Sequence, residues 1–328
     1  MTPVLEVTDL VVEMRRHRHP FLAVGGVSFD VERGRALGIV GESGCGKSAT
    51  LRAIMGLLPS AGRVLSGSMA VDGEPLGGSV RQAGRSRRHR LAMVFQDALS
   101  ALNPVMTVGA QIAEAPRYVL GMSRAQARAR ALELLRIVGI PDPRRRFRAY
   151  PHELSGGLRQ RVMIAIALSS EPAILLCDEP TTALDVTIQT QILALLNELR
   201  VEQGLALVFV THDLGVVGQV CDDLAVMYAG RFVETGPVAE VLGSPRHPYT
   251  LGLVASAIDV DTPDHEPMAI PGSIPDPLHL PAGCPFHPRC SFATEECRAA
   301  VVPLLPVAAG RWSACLHHDQ LAVGAHRG

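Results

Sequence analysis

Uninterrupted apolar runs alternate along this chain with stretches whose apolar residues return at every third or fourth position. Ala36–Val40 is apolar throughout and ends at a glycine-rich turn, as a strand buried on both faces would. After it, Leu51, Ile54, Met55 and Leu58 recur at helical spacing. Residues 173–177 predict a second buried strand and residues 205–210 a third. Between them, Ile188, Ile192, Leu195, Leu196 and Leu199 predict a helix with Asp185 as its N-cap. Strands and helices taking turns in this way imply an α/β fold, a largely parallel sheet covered by helices. Over 98–153 the pattern becomes arginine- and alanine-rich helix, clearest in 123–138, which predicts a helical subdomain (about 98–170) inserted into the α/β core. From about Val260 the chain turns proline-rich and cysteine-bearing with little periodicity. We therefore expect a main domain over 1–259 and a small irregular tail over 260–328.

Composition narrows the picture slightly. A length of 328 residues suits one large α/β domain with an appendage, and 47% hydrophobic residues supply an ample core. Net charge is −1, so bulk electrostatics give no case for a nucleic-acid partner. Two basic runs, 81–90 and 144–148, read as solvated loops or subunit contacts. No stretch approaches the ~18–20 apolar residues that cross a bilayer; the run 301–309 is short and broken by Pro303 and Pro306. The opening MTPVLEVTDL lacks a basic region followed by an apolar core, so no secretory signal is expected. Membrane work is thus expected to pass through a partner.

Residues 41–48, Gly-Glu-Ser-Gly-Cys-Gly-Lys-Ser, stand between a predicted strand and a predicted helix, the setting a phosphate-binding loop requires. Glycines let the backbone curl so that successive N–H groups point at phosphate oxygens. The helix N-terminus adds partial positive charge at the same place. Nucleotide binding is therefore expected of Gly41, Ser43, Gly44, Cys45, Gly46, Lys47, Ser48 and Ala49. Lys47 should reach the β- and γ-phosphates and Ser48 should ligate Mg2+. Downstream, residues 174–179 form an apolar strand that ends in Asp178 and Glu179. Unpaired burial of charge is costly, so such an end implies a cation close by. Asp178 is expected to hold Mg2+ through its water shell, and Glu179 to polarise the water that attacks the γ-phosphate. Without the loop upstream, the same pair would read as acids in a solvated loop.

Residues 154–161, Leu-Ser-Gly-Gly-Leu-Arg-Gln-Arg, lie between these motifs and resemble the signature sequence of the ABC ATPases. Ser155, Gly156 and Gly157 open a helix, where a hydroxyl and two amides suit a γ-phosphate. The resemblance implies that this phosphate belongs to ATP on an opposite subunit. It also implies that Gln96 senses Mg2+ and the attacking water, that Asp185 belongs to a loop crossing the dimer interface, and that His212 is a switch residue on the γ-phosphate. The implied catalytic set is Glu179, His212 and Gln96, and the implied Mg2+ set is Ser48, Gln96 and Asp178. One family element departs. The position where such ATPases carry an adenine-stacking aromatic holds Met14, whose thioether still packs on a purine face; His17, His19 and Phe21 are substitutes. One loop and one signature per chain imply a second ATPase subunit, identical or related.

Pro245-Arg246-His247-Pro248-Tyr249-Thr250, the stretch from Phe95 to Pro104, and residues 281–290 narrow the resemblance to ATPases of oligopeptide, dipeptide and nickel importers, nearest the dipeptide transporter D-type. It implies two transmembrane permease subunits, an extracytoplasmic substrate-binding protein, and a peripheral place on the cytoplasmic face of the cell (inner) membrane. Peptides are the expected cargo, with nickel complexes or other small solutes as alternatives. A soluble ABC ATPase of translation or repair is disfavoured by the single nucleotide domain and the importer-like tail. A non-hydrolysing regulator is disfavoured by Glu179 and His212. Of seven cysteines, Cys284, Cys290, Cys297 and Cys315 cluster late in the chain, and in a reducing compartment they read as metal ligands rather than disulfides. Their spacing matches neither ferredoxin runs nor a zinc ribbon. The resemblance implies a [4Fe–4S] cluster; zinc and metal-free thiols stay open.

Overall fold

Apolar runs form strands where they can be covered on both faces. The computed structural model describes residues 3–76, 90–182, 184–256 and 270–324. The basic stretch 81–89, Ala183 and the expected boundary between residues 259 and 260 lie outside the described residues. Its strands are β1 (Leu5–Arg16), β2 (His19–Val31), β3 (Ala36–Val40), β4 (Gly62–Val71), β5 (Glu74–Pro75), β6 (Leu91–Val94), β7 (Ile174–Asp178), β8 (Ala206–Thr211), β9 (Asp223–Tyr228), β10 (Arg231–Pro237), β11 (Leu305–Ala308) and β12 (Arg311–Ser313). The predicted runs at 36–40, 173–177 and 205–210 are thus strands within one residue of each bound. All residues of β3, β6, β7 and β8 are buried.

The chain divides into two units. One comprises Met1–Leu5, Val31–Arg35 and Ala70–Val208. In it β6 and β7 pair in parallel, Leu91 opposite Ile174 and Val94 opposite Cys177. Helices fill most of the rest: Val108–Ile112, Arg124–Ile137, Gly156–Leu168 and Val186–Gln203 carry the larger buried faces. Arg124–Ile137 opens with a reciprocal capping box between Ser123 and Gln126 and buries Ala127, Ala131, Leu134 and Leu135. Such small and straight-chain residues both favour the helix and let neighbours approach.

The other unit comprises Glu6–Asp30, Ala36–Met69 and Phe209–Gly328. Here β3 pairs with β9 in parallel, and β10 lies antiparallel against β9. The tail then adds two strands that periodicity did not disclose: β12 pairs antiparallel with β10, and β11 with β12. β1, flanked by β2 and β4, belongs to a separate small sheet. The helix after β3 spans Lys47–Met55 and stops at Gly56, in the left-handed region at φ 70°. Leu58 therefore falls beyond the helix that its spacing predicted. A cluster of Val40, Val226, Tyr228, Val241, Tyr249 and Phe286 forms the core of this unit. Among the described residues no helix is long and apolar enough to cross a membrane.

Candidate nucleotide site

The turn after β3 is shaped by its glycines. At Gly46, φ is +114° and a Cβ would stand 2.4 Å from the Ala23 carbonyl oxygen, so no other residue fits there without displacing backbone. The helix begins at once with Lys47. Its ammonium is buried, with 5% of the residue exposed, and donates to the carbonyls of Gly41 at 2.6 Å and Glu42 at 3.0 Å. Ser43 and Gly44 are exposed, whereas Cys45 is buried. Burial pushes the Cys45 thiol above its ordinary value, against the opposing pull of Lys47. Tyr249, which the sequence reading noticed only as part of a family segment, accepts the Glu42 N–H at 2.8 Å on its buried hydroxyl.

In the other unit the predicted acids end β7. Asp178 is buried at 4% exposure. Glu179 takes a left-handed backbone, φ 48°, uncommon for a residue with a Cβ and typical of functional turns. Gln96 donates to its carboxylate at 3.3 Å and the Thr182 hydroxyl at 3.0 Å. Gln96 and Glu179 thus meet despite their separation in sequence. Thr182 was missed, because a threonine three residues on carries no signal of its own. Ser155 caps the helix Gly156–Leu168 by accepting the Leu158 N–H, and both Ser155 and Gly156 are exposed. A Cβ on Gly157 would stand 2.7 Å from Ile188 Cγ2, so that glycine lets the signature helix approach the helix that Asp185 caps. Asp185 is exposed.

Within the unit containing the phosphate loop, His212 is exposed after β8, ahead of a helix capped by Asp213. Met14 is half-buried in β1, and His17 occupies the turn before β2 at φ 50°. His19 is exposed and Phe21 half-buried in β2.

Cys284, Cys290, Cys297 and Cys315 line one pocket with Phe286 and His317. None is in a disulfide. Burial pushes the thiols of Cys284, Cys290 and Cys315 up, the last to about 12, so each is neutral unless a cation displaces its proton. Four soft sulfur donors in one apolar pocket suit a multi-thiolate centre. They are not drawn into a closed ligand shell: among the described residues no group of three or more His, Cys, Asp or Glu has the arrangement of a metal site.

Two family models match the chain. The model described as "ABC transporter" matches residues 24–182, and "Oligopeptide/dipeptide transporter, C-terminal region" matches 233–297. The oligopeptide transport ATP-binding protein OppD of Salmonella typhimurium is 47% identical over 313 residues, covering 95% of this chain and 93% of its own. This chain belongs to the ABC transporter family. It is an ABC ATPase, and ATP with Mg2+ is what such a site takes. Similar solved structures include cbiO1 from Clostridium perfringens, part of the ABC transporter complex cbiONQ, at 29% identity and a TM-score of 0.64. The match covers 74% of this chain and 91% of that one. A dimeric ATP-binding cassette bound to ADP and Pi is 28% identical with a TM-score of 0.63, covering 71% of this chain and 98% of its own.

Proposed function

We propose that this ABC ATPase powers the import of di- and oligopeptides, hydrolysing ATP jointly with a second ATPase subunit, identical or related, beneath two permease subunits. The observation that carries the reading is one chain holding both a phosphate-binding loop and a tail that matches the oligopeptide/dipeptide transporter model. The name of the Salmonella relative points the same way.

In this reading Gly41 and residues 43–49 bind the triphosphate, and Lys47 leaves the Gly41 and Glu42 carbonyls for the phosphates. Ser48, Gln96 and Asp178 would hold Mg2+, which supplies charge neutralisation on the phosphate oxygens. Glu179 accepts a proton from the attacking water, with Gln96 and Thr182 fixing its carboxylate. His212 contacts the γ-phosphate. Ser155, Gly156, Gly157 and Asp185 serve ATP on the partner subunit, which agrees with the exposure of Ser155, Gly156 and Asp185. The domain division at 259/260 belongs to this proposal, as does a peripheral position at the cytoplasmic face of the membrane.

The experiment is uptake of labelled dipeptides and longer peptides by membranes carrying the assembled transporter and its extracytoplasmic binding protein. ATP-driven peptide accumulation is expected, and Glu179→Gln should abolish it while leaving ATP bound. Accumulation of nickel complexes but not peptides would reassign the cargo; ATP turnover indifferent to membrane partners would favour a non-transport ATPase.

The pocket of four thiols supports a second proposal, that Cys284, Cys290, Cys297 and Cys315 hold a [4Fe–4S] cluster that staples the tail. A proline-rich segment with so little core of its own gains most from such a centre. Anaerobically purified protein should be brown and carry about four irons per chain, the content of one such cluster. Zinc in place of iron, or neither metal, would refute the assignment.

A further inference from the structure

Arg289 carries the tail to the phosphate-binding loop. Arg289 ends the short 3-10 turn His287–Arg289, immediately before Cys290, and its side chain is 4% exposed. Nη1 donates to Glu42 Oε2 at 2.7 Å and Nη2 to Oε1 at 3.0 Å, a bidentate pair. Nε donates to the Pro271 carbonyl at 2.8 Å, and the Tyr228 hydroxyl lies 3.4 Å from Nη1. The guanidinium carbon stands 5.9 Å and 5.8 Å from the centres of the Tyr228 and Phe286 rings. A planar fork held on so many sides has one geometry, and it hands that geometry to its carboxylate.

Glu42 is the second residue of the loop and is gripped three ways. Its carboxylate meets Arg289, its N–H meets Tyr249, and its carbonyl is one of the two that Lys47 occupies. We propose that Arg289 is a positioning residue for the nucleotide phosphates, acting through Glu42 to keep residues 41–48 in their phosphate-binding curl. The inference rests on the nucleotide reading of that loop. Gly41, Gly44 and Gly46 all have positive φ, and so glycine-rich a backbone loses much entropy when ordered. An anchor that orders it beforehand leaves less to be lost on binding. The anchor belongs to the thiol-lined turn: the His287 N–H donates to the Cys284 carbonyl at 3.0 Å, and Cys290 follows Arg289 directly. Disturbance of that pocket is thereby felt at the loop.

The test uses the full chain and the assembled transporter with Arg289→Met, Glu42→Ala and the double variant. Each single change should raise the Kd and KM for ATP about tenfold, equivalent to ~1.4 kcal/mol, with kcat within about twofold. The double variant should be no worse than either single one, and Arg289→Lys, which keeps charge but not the fork, should fall between. Unchanged ATP affinity in Glu42→Ala overturns the proposal, and this variant decides the matter if Arg289→Met fails to fold. Additive losses in the double variant, or reduced kcat at constant KM, overturn it too. Failure of the unsubstituted chain to bind ATP would instead sink the nucleotide reading.

Discussion

His247 is sealed inside the protein at 1% exposure, and burial pushes its imidazole down to about 3. Its Nδ1 accepts the Tyr249 N–H at 3.0 Å, while its backbone N–H donates to Glu234 at 2.9 Å. The folded chain therefore carries it neutral. As pH falls below 6.5, the unfolded chain takes up a proton that the folded chain refuses, so stability drops from about pH 6.5 toward 3. By pH 5 the loss from this one residue is about 2 kcal/mol. Glu234 acts with the opposite sign, since burial pushes its carboxyl up and the folded state protonates first. His247→Asn keeps an acceptor near the Tyr249 N–H and removes the titration. Denaturant midpoints at pH 7.5 and 5 should then fall less in the variant than in the parent; equal falls would refute the account. At this scale the sequence marked Lys47, Ser155, Asp178 and Glu179 by motif. It gave no hint that Thr182 or Tyr249 would hold their neighbours, because a lone hydroxyl has no pattern.

The tail shows the same limit for elements. Residues 301–309 looked like a proline-broken apolar run, yet β11 and β12 extend the sheet from β10. A strand of three or four residues is too short to show period two, and only an open edge supplies its partner. One ion pair secures the join. Glu234, 0% exposed, meets Arg311, whose side chain is 4% exposed, at 2.7 Å. It also accepts the N–H groups of Arg246 and His247. Arg311→Ala would strand a buried carboxylate, at a cost of ~3–5 kcal/mol. Glu234→Gln/Arg311→Met should recover much of it, because no charge is then left unpaired. Chemical denaturation of the three proteins tests this; a loss under about 1 kcal/mol in Arg311→Ala would mean that β12 is held by other contacts. Helices were easier to foresee. Arg124–Ile137 was legible to within a residue, and Val186–Gln203 at its start, because the Asp185 cap and the apolar stripe are local signals; its end runs four residues past Leu199, where the stripe stops.

For the whole molecule, each chain has one phosphate loop and one signature, and the exposed Ser155, Gly156 and Asp185 need a partner's nucleotide to serve the roles proposed for them. Glu179→Gln, given ATP and Mg2+, should accumulate as a closed dimer in analytical ultracentrifugation. Adding Ser155→Asp should return it to monomer, since aspartate caps the helix as well as serine does but repels a phosphate. A dimer indifferent to that charge would place the interface elsewhere. The sequence by itself determined the α/β class, the nucleotide chemistry, the order of the motifs and the family, because these rest on local backbone needs: glycines for a curl, caps for helices, apolar runs for buried strands. Only the tertiary structure decided that the tail extends the sheet, that four distant thiols share one pocket, and that Arg289 grips Glu42. Those facts depend on which surfaces meet after folding, and a contact across 247 residues leaves no periodic trace in the chain that makes it.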